Sequence, residues 1–225
     1  MALYDEFKDR RKDFEILAFH DTRASSLEDL DGKITKVKAE VWGGRDLPFP
    51  ILLDTTGETI RTFDVDAFPT VIAIDPKGNI VRGGGEHSLR EYLLETDPAV
   101  QKMLKKLAAA KGPAFAKAAE EVANEGPRAG FALFRTAKGA KPEQVAAIRA
   151  ALAKVQGPYA VSFFFGEHGL VSEDRSARLE AAKVLGEIAE SGSLYGLVQC
   201  LNAEKDDEVK KAMVAAVEAI QARGH

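Results

Sequence analysis

Only one cysteine, Cys200, occurs in the 225 residues. No disulfide can therefore close within the chain, which fits a reducing compartment. No apolar run approaches the ~20 residues a bilayer-spanning helix needs. The start, Met1-Ala2-Leu3-Tyr4-Asp5-Glu6-Phe7-Lys8, is amphipathic and acidic from its first turn, so it does not read as a secretory signal. A basic stripe is also missing. The formal net charge is −4 with lysines and arginines scattered among acids, which argues against a nucleic-acid partner. No G-x-S-x-G elbow is present, and His20, His87, His168 and His225 make no metal-ligand spacing with acids or with cysteine. Gly83-Gly84-Gly85 lacks both the G-x-G-x-x-G spacing and a P-loop lysine, so it reads as a turn rather than a phosphate cradle. The residues supply no metal, cofactor or catalytic constellation. They do supply an ordinary globular composition, 45% apolar and 29% charged, in a chain long enough for one or two cores.

The stretch that organises the first half is Val65-Asp66-Ala67-Phe68-Pro69-Thr70-Val71-Ile72-Ala73-Ile74-Asp75-Pro76-Lys77-Gly78-Asn79-Ile80-Val81. It reads as loop, proline, strand, tight turn and strand. Val71, Ile72 and Ile74 are β-branched, and Pro76-Lys77-Gly78-Asn79 is turn chemistry. Upstream, Leu3, Phe7 and Arg10-Arg11-Lys12 read as the tail of a helix. Phe14 to His20 reads as a short buried strand. Leu27, Leu30, Ile34, Val37 and Val41 recur near a period of 3.6, predicting a helix over Ser26 to Val41 that ends at Trp42-Gly43-Gly44. Leu47 to Asp54 leads into a short helix over Glu58 to Phe63. Downstream, Ser88 is the expected N-cap of a helix from Leu89.

This order resembles a thioredoxin fold of the TlpA/ResA and redoxin branch, taken from its catalytic helix onward, over residues 3 to 96. The resemblance implies a cis peptide bond between Phe68 and Pro69, and a peptide-binding role for Phe68, Pro69 and Thr70. In that family these positions face a Cys-x-x-Cys pair, which this chain lacks, together with the first strand and the central strand. The central strand lies between the segments matched here by Glu15–His20 and Thr70–Asp75. The expectation is that these two segments close the gap by pairing directly and antiparallel, because buried unpaired amides are costly. A second chain filling the gap, or a longer parent protein, are the alternatives.

Asp97-Pro98 restarts the chain as N-cap and first helical residue, and the composition turns alanine-rich. A repeat then emerges. Ala119-Glu120-Glu121-Val122, Leu152-Ala153-Lys154-Val155, Leu185-Gly186-Glu187-Ile188 and Val217-Glu218-Ala219-Ile220 are spaced by 33, 33 and 32 residues. The first three are followed by glycine-led second helices at Gly126, Gly157 and Gly192. Fixed-period helix pairs mark an α-solenoid. Arg178 to Ile188 and Asp207 to Ala212 resemble short HEAT repeats of the phycobilisome-lyase type. Within this array Phe163-Phe164-Phe165 reads as core, with at least one ring left over to face a partner, and Cys200 reads as a packed, inert thiol.

The expected architecture is therefore an α/β incomplete thioredoxin-like domain followed by an all-α HEAT-like solenoid. The expected divisions are residues 1–96, a connecting helix over 97–112, and repeats over 113–225. The function this implies is a redoxin-family protein without its own redox-active pair, acting through protein or peptide contacts, with no membrane insertion. Unpaired strand edges would also permit self-association. The alternatives are a truncated form of an active thiol-disulfide oxidoreductase and a pure HEAT-repeat scaffold. The sequence fixes no compartment, although relatives of this type are often extracytoplasmic.

Overall fold

In the computed structural model, which describes residues 2–81, 85–126 and 128–224, side-chain capping sets several helix starts. Ser26 accepts a hydrogen bond from the Asp29 amide at 3.1 Å and opens α2, Leu27–Glu40. Asp97 accepts from the amides of Ala99 and Val100 and opens α5, Pro98–Ala109, with proline at the first helical position. The chain divides into two units between Leu93 and Leu94.

The first unit carries α1, Ala2–Glu6, then β1, Ala18–His20, then α2, β2, Ile51–Leu53, and α3, Glu58–Thr62. Its core gathers Leu3, Tyr4, Phe7, Leu30 and Leu93, all buried. Tyr4 packs edge-on against Phe14 at 5.5 Å and Phe49 at 5.3 Å, and the Arg11 guanidinium lies 3.3 Å above its ring.

The sheet differs from the expectation. β1 pairs with β2, in parallel, with Ala18 opposite Ile51 and His20 opposite Leu53. Residues 70–75 do not pair with β1; among the described residues their one bridge is the antiparallel Ile74–Ile80 contact across the following turn. Direct antiparallel closure of the gap is thus wrong. The connection from β1 to β2 runs through α2, a crossover that delivers the second strand in parallel. β2 occupies one side of β1, and no described residue pairs with the other side.

The turn after residue 74 follows its sequence. The Asp75 carboxylate accepts from the amides of Lys77 at 2.8 Å and Asn79 at 2.9 Å, and Gly78 takes φ of 87°, which glycine alone adopts freely. Gly83 and Gly84 lie outside the described residues. The helix beyond them, α4, spans Glu86–Glu95. It starts ahead of the expected Ser88 cap, which sits inside it. A Glu86–Arg90 ion pair at 2.9 Å, one turn apart, supports the extra residues.

The second unit is helical throughout its described residues. α5 is followed by α6 (Pro113–Ala123), α7 (Ala129–Ala137), α8 (Pro142–Leu152), α9 (Pro158–Phe165), α10 (Arg175–Ile188), α11 (Leu194–Ala203) and α12 (Asp207–Arg223). The four repeat cores fall at the ends of α6, α8, α10 and α12. Ala119, Leu152 and Leu185 are buried at one position, and Val122, Val155 and Ile220 three residues on. α6 packs on α8, α10 on α12, α5 on α7 and α7 on α9, and α7 also meets α8 and α9 meets α10. Small residues let them approach closely. A Cβ on Gly186 of α10 would stand 3.2 Å from the Ala216 Cα of α12.

Phe163 and Phe164 are core, as expected. Phe165 is half-buried and lies along Gly196 of α11, where a Cβ would meet its ring at 3.3 Å. The leftover ring therefore seats a neighbouring helix and is no free anchor.

Candidate functional site

A cavity of about 820 Å³ lies in the first unit, bounded on one side by residues 16–20 and on another by residues 68–74. That volume is in the range of ligand and peptide sites. Polar fixtures hold its walls. The Asp54 carboxylate, at the end of β2, accepts from the amides of Glu58 at 2.9 Å and Ile60 at 3.1 Å, fixing α3 and so the positions of Ile60 and Phe63 along the cavity. Burial pushes the Asp54 carboxyl up, but the amides of Ile60 and Glu58 and the Thr56 hydroxyl outweigh it and hold it below the usual carboxylate range.

Asp21, directly after β1, accepts from the backbone amide of Arg23 at 3.0 Å and from its guanidinium at 2.8 Å. Those bonds, the guanidinium first, keep the Asp21 carboxyl low. They also hold the guanidinium 5.7 Å from the Phe68 ring.

Phe68, Pro69 and Thr70 all line this cavity and all are exposed. The Phe68–Pro69 bond is cis, as the resemblance implied. The Thr70 hydroxyl donates to the Ala67 carbonyl at 2.6 Å, so its proton serves the loop. Sequence reasoning missed the opposite wall. Leu17 and Phe19 were read as part of a buried strand, yet they stand 53% and 47% exposed, and across the cavity Val71 and Ile74 are 59% and 54% exposed. No alternation marked them: Ile16-Leu17-Ala18-Phe19 and Val71-Ile72-Ala73-Ile74 are continuous apolar runs, the pattern of strands buried on both faces.

Elsewhere the chemistry is quiet. Cys200 sits half-buried on α11, and burial pushes its thiol up, away from the reactive thiolate. Among the described residues no group of three or more histidine, cysteine, aspartate or glutamate side chains is placed to hold a metal ion. No helix among them is long and apolar enough to cross a membrane. Compared with known proteins, the sequence matches no family model and no curated protein, and the chain matches no solved structure.

Proposed function

We propose that this chain is a binding protein, a thioredoxin-like unit of the redoxin type without a redox-active pair, joined to a HEAT-like array. The first unit takes an extended apolar peptide at Phe68, Pro69 and Thr70, and the helical repeats present a second protein-contact surface. The observation that carries the reading is the cavity beside Phe68, walled by side chains that a folded domain would normally bury. Exposed β-branched and aromatic residues clustered around one concavity are the mark of an interaction site. The HEAT-like assignment draws support from the 33, 33 and 32-residue spacing and from the stacking of α6 on α8 and of α10 on α12.

Selection of phage-displayed random peptides on the purified chain tests this. Apolar, extended sequences should be enriched, and the double substitution Phe68→Asp with Val71→Asp should weaken them by about tenfold or more. Absence of enrichment, or equal binding by the double variant, overturns the reading.

A further inference from the structure

We propose that the cavity is a slot for one extended, uncharged segment of another protein, which inserts between β1 and residues 71–74 and bonds to both backbone edges. The inference deepens the peptide-binding reading and rests on it. In the β1–β2 ladder the bonded residues of β1 are Ala18, whose amide donates to the Pro50 carbonyl, and His20, whose carbonyl accepts from the Asp54 amide. The amides and carbonyls of Leu17 and Phe19 therefore point to the other side, because alternate residues of a strand bond in opposite directions. The far wall follows the same rule. The Ala73 carbonyl accepts from Val81 and the Asp75 amide donates to Asn79, which turns Ile72 and Ile74 away from the turn. For Leu17, Phe19, Ile72 and Ile74 no described residue supplies a backbone partner. All four line the one cavity.

Two open edges on one apolar cavity specify what covers it. The occupant must offer alternating carbonyls and amides along its length, since a covered backbone group needs a partner. A helix has already spent its own, and an apolar small molecule has none. The charges agree. The ionisable side chains on the cavity wall are His20, Asp21, Arg23, Asp54 and Glu86. Asp21 and Arg23 hold each other, Asp54 holds the start of α3, Glu86 pairs with Arg90, and a His20 ring nitrogen bonds the Asp21 carbonyl at 3.1 Å. No charge is left over to meet one on the guest, so the segment is β-branched and neutral, as strands buried on both sides are.

The test uses the full chain and a synthetic peptide of about six alternating valine and threonine residues between terminal lysines. The same peptide N-methylated at every second residue is the control. Insertion predicts binding, with hydrogen exchange at the Phe19 and Ile74 amides slowed by about tenfold or more, and about tenfold weaker binding of the N-methylated control. Equal affinity of the two peptides, or binding without protection at these amides, overturns insertion while leaving the peptide-binding reading standing. So does failure of this peptide where phage-selected peptides bind. Protection already present without peptide also overturns it. If that protection is independent of concentration, the slot is closed within the chain; if it grows with concentration, a second copy fills it. Failure of every peptide removes both readings together.

Discussion

Ile148 and Leu185 in the helical array are fully buried, whereas Val71 and Ile74 in the first unit are more than half exposed. The residue types are alike, and the difference lies in what each element has to pack against. A helix satisfies its own backbone, so the array only needs side chains to fit, and alanine-rich faces with a fixed period arrange that locally. A strand leaves half its backbone bonds to a neighbour. Where that neighbour is lacking, its apolar side chains lose their cover along with its amides. The core of the array is thus covered from within, and the first unit is built around an opening.

Substitutions that ignore this difference should expose it. The largest effect is expected from Phe164→Ala. The ring is fully buried and meets Phe163 edge-on at 5.3 Å, so its removal should cost about 3–5 kcal/mol. Urea melts followed by helix ellipticity would read this as a clear fall in the array's midpoint. A change below about 0.5 kcal/mol would place Phe164 outside any real core.

Next comes Gly186→Val. The added carbons would run into Ala216 of α12, where even a Cβ stands 3.2 Å from the backbone, so α10 and α12 must move apart. The expected loss is about 1–3 kcal/mol. The same melts check it, and Gly192→Ala serves as a control because a Cβ there meets nothing within 4 Å.

Acid should act on the same joint. Arg178 bonds Glu204 at 2.7 Å and Arg175 bonds Asp206 at 2.8 Å. The hydrogen bonds from the guanidinium partners are the largest cause holding both carboxyls below their ordinary values. A carboxylate with a lowered folded pKa adds stability above its unfolded value of about 4, and that stability is lost as pH falls through the folded value. Melting temperature should therefore drop as pH is taken below about 4, and Glu204→Gln should flatten part of the slope. An unchanged slope in Glu204→Gln would show that the pair contributes nothing, its attraction offset by the cost of taking both charges out of water.

What the sequence made legible divides along the same line. Caps are local and the repeat is periodic: Ser26 and Asp97-Pro98 announce themselves within a turn of chain, the array from Ala119 to Ile220 by its 33, 33 and 32-residue spacing, and the helices sit where they say. Ser88 misled because a serine that can cap, a gain of about 1 kcal/mol, does not stop a helix from starting earlier. A helix beginning at Glu86 gains the pair with Arg90, which the residues also encode. Sheet partners are not local. Ile51-Leu52-Leu53 is a three-residue strand, too short for alternation to distinguish it from loop, so the neighbour of β1 left no local signal. The cavity was out of reach for the same reason. Phe68-Pro69-Thr70 could be singled out one by one, but the facing edges of Phe19 and Ile74 exist only once topology brings them together.

The smallest effect on stability, and the one that separates binding surface from core, is expected from Phe68→Ala. Phe68 and Phe164 are the same residue type, yet Phe68 is 56% exposed, and the Arg23 guanidinium, 5.7 Å from its ring, is already held by Asp21. Little water-free contact is lost when the ring goes, so stability should change by less than about 0.5 kcal/mol. Peptide affinity should fall by about tenfold, because a ring at the mouth of a cavity is covered only when the guest is present. Urea midpoints and a titration with one phage-selected peptide measure the two quantities on one sample. A stability loss approaching that of Phe164→Ala, with affinity unchanged, would make Phe68 a structural residue and erase the distinction between an open unit and a closed one.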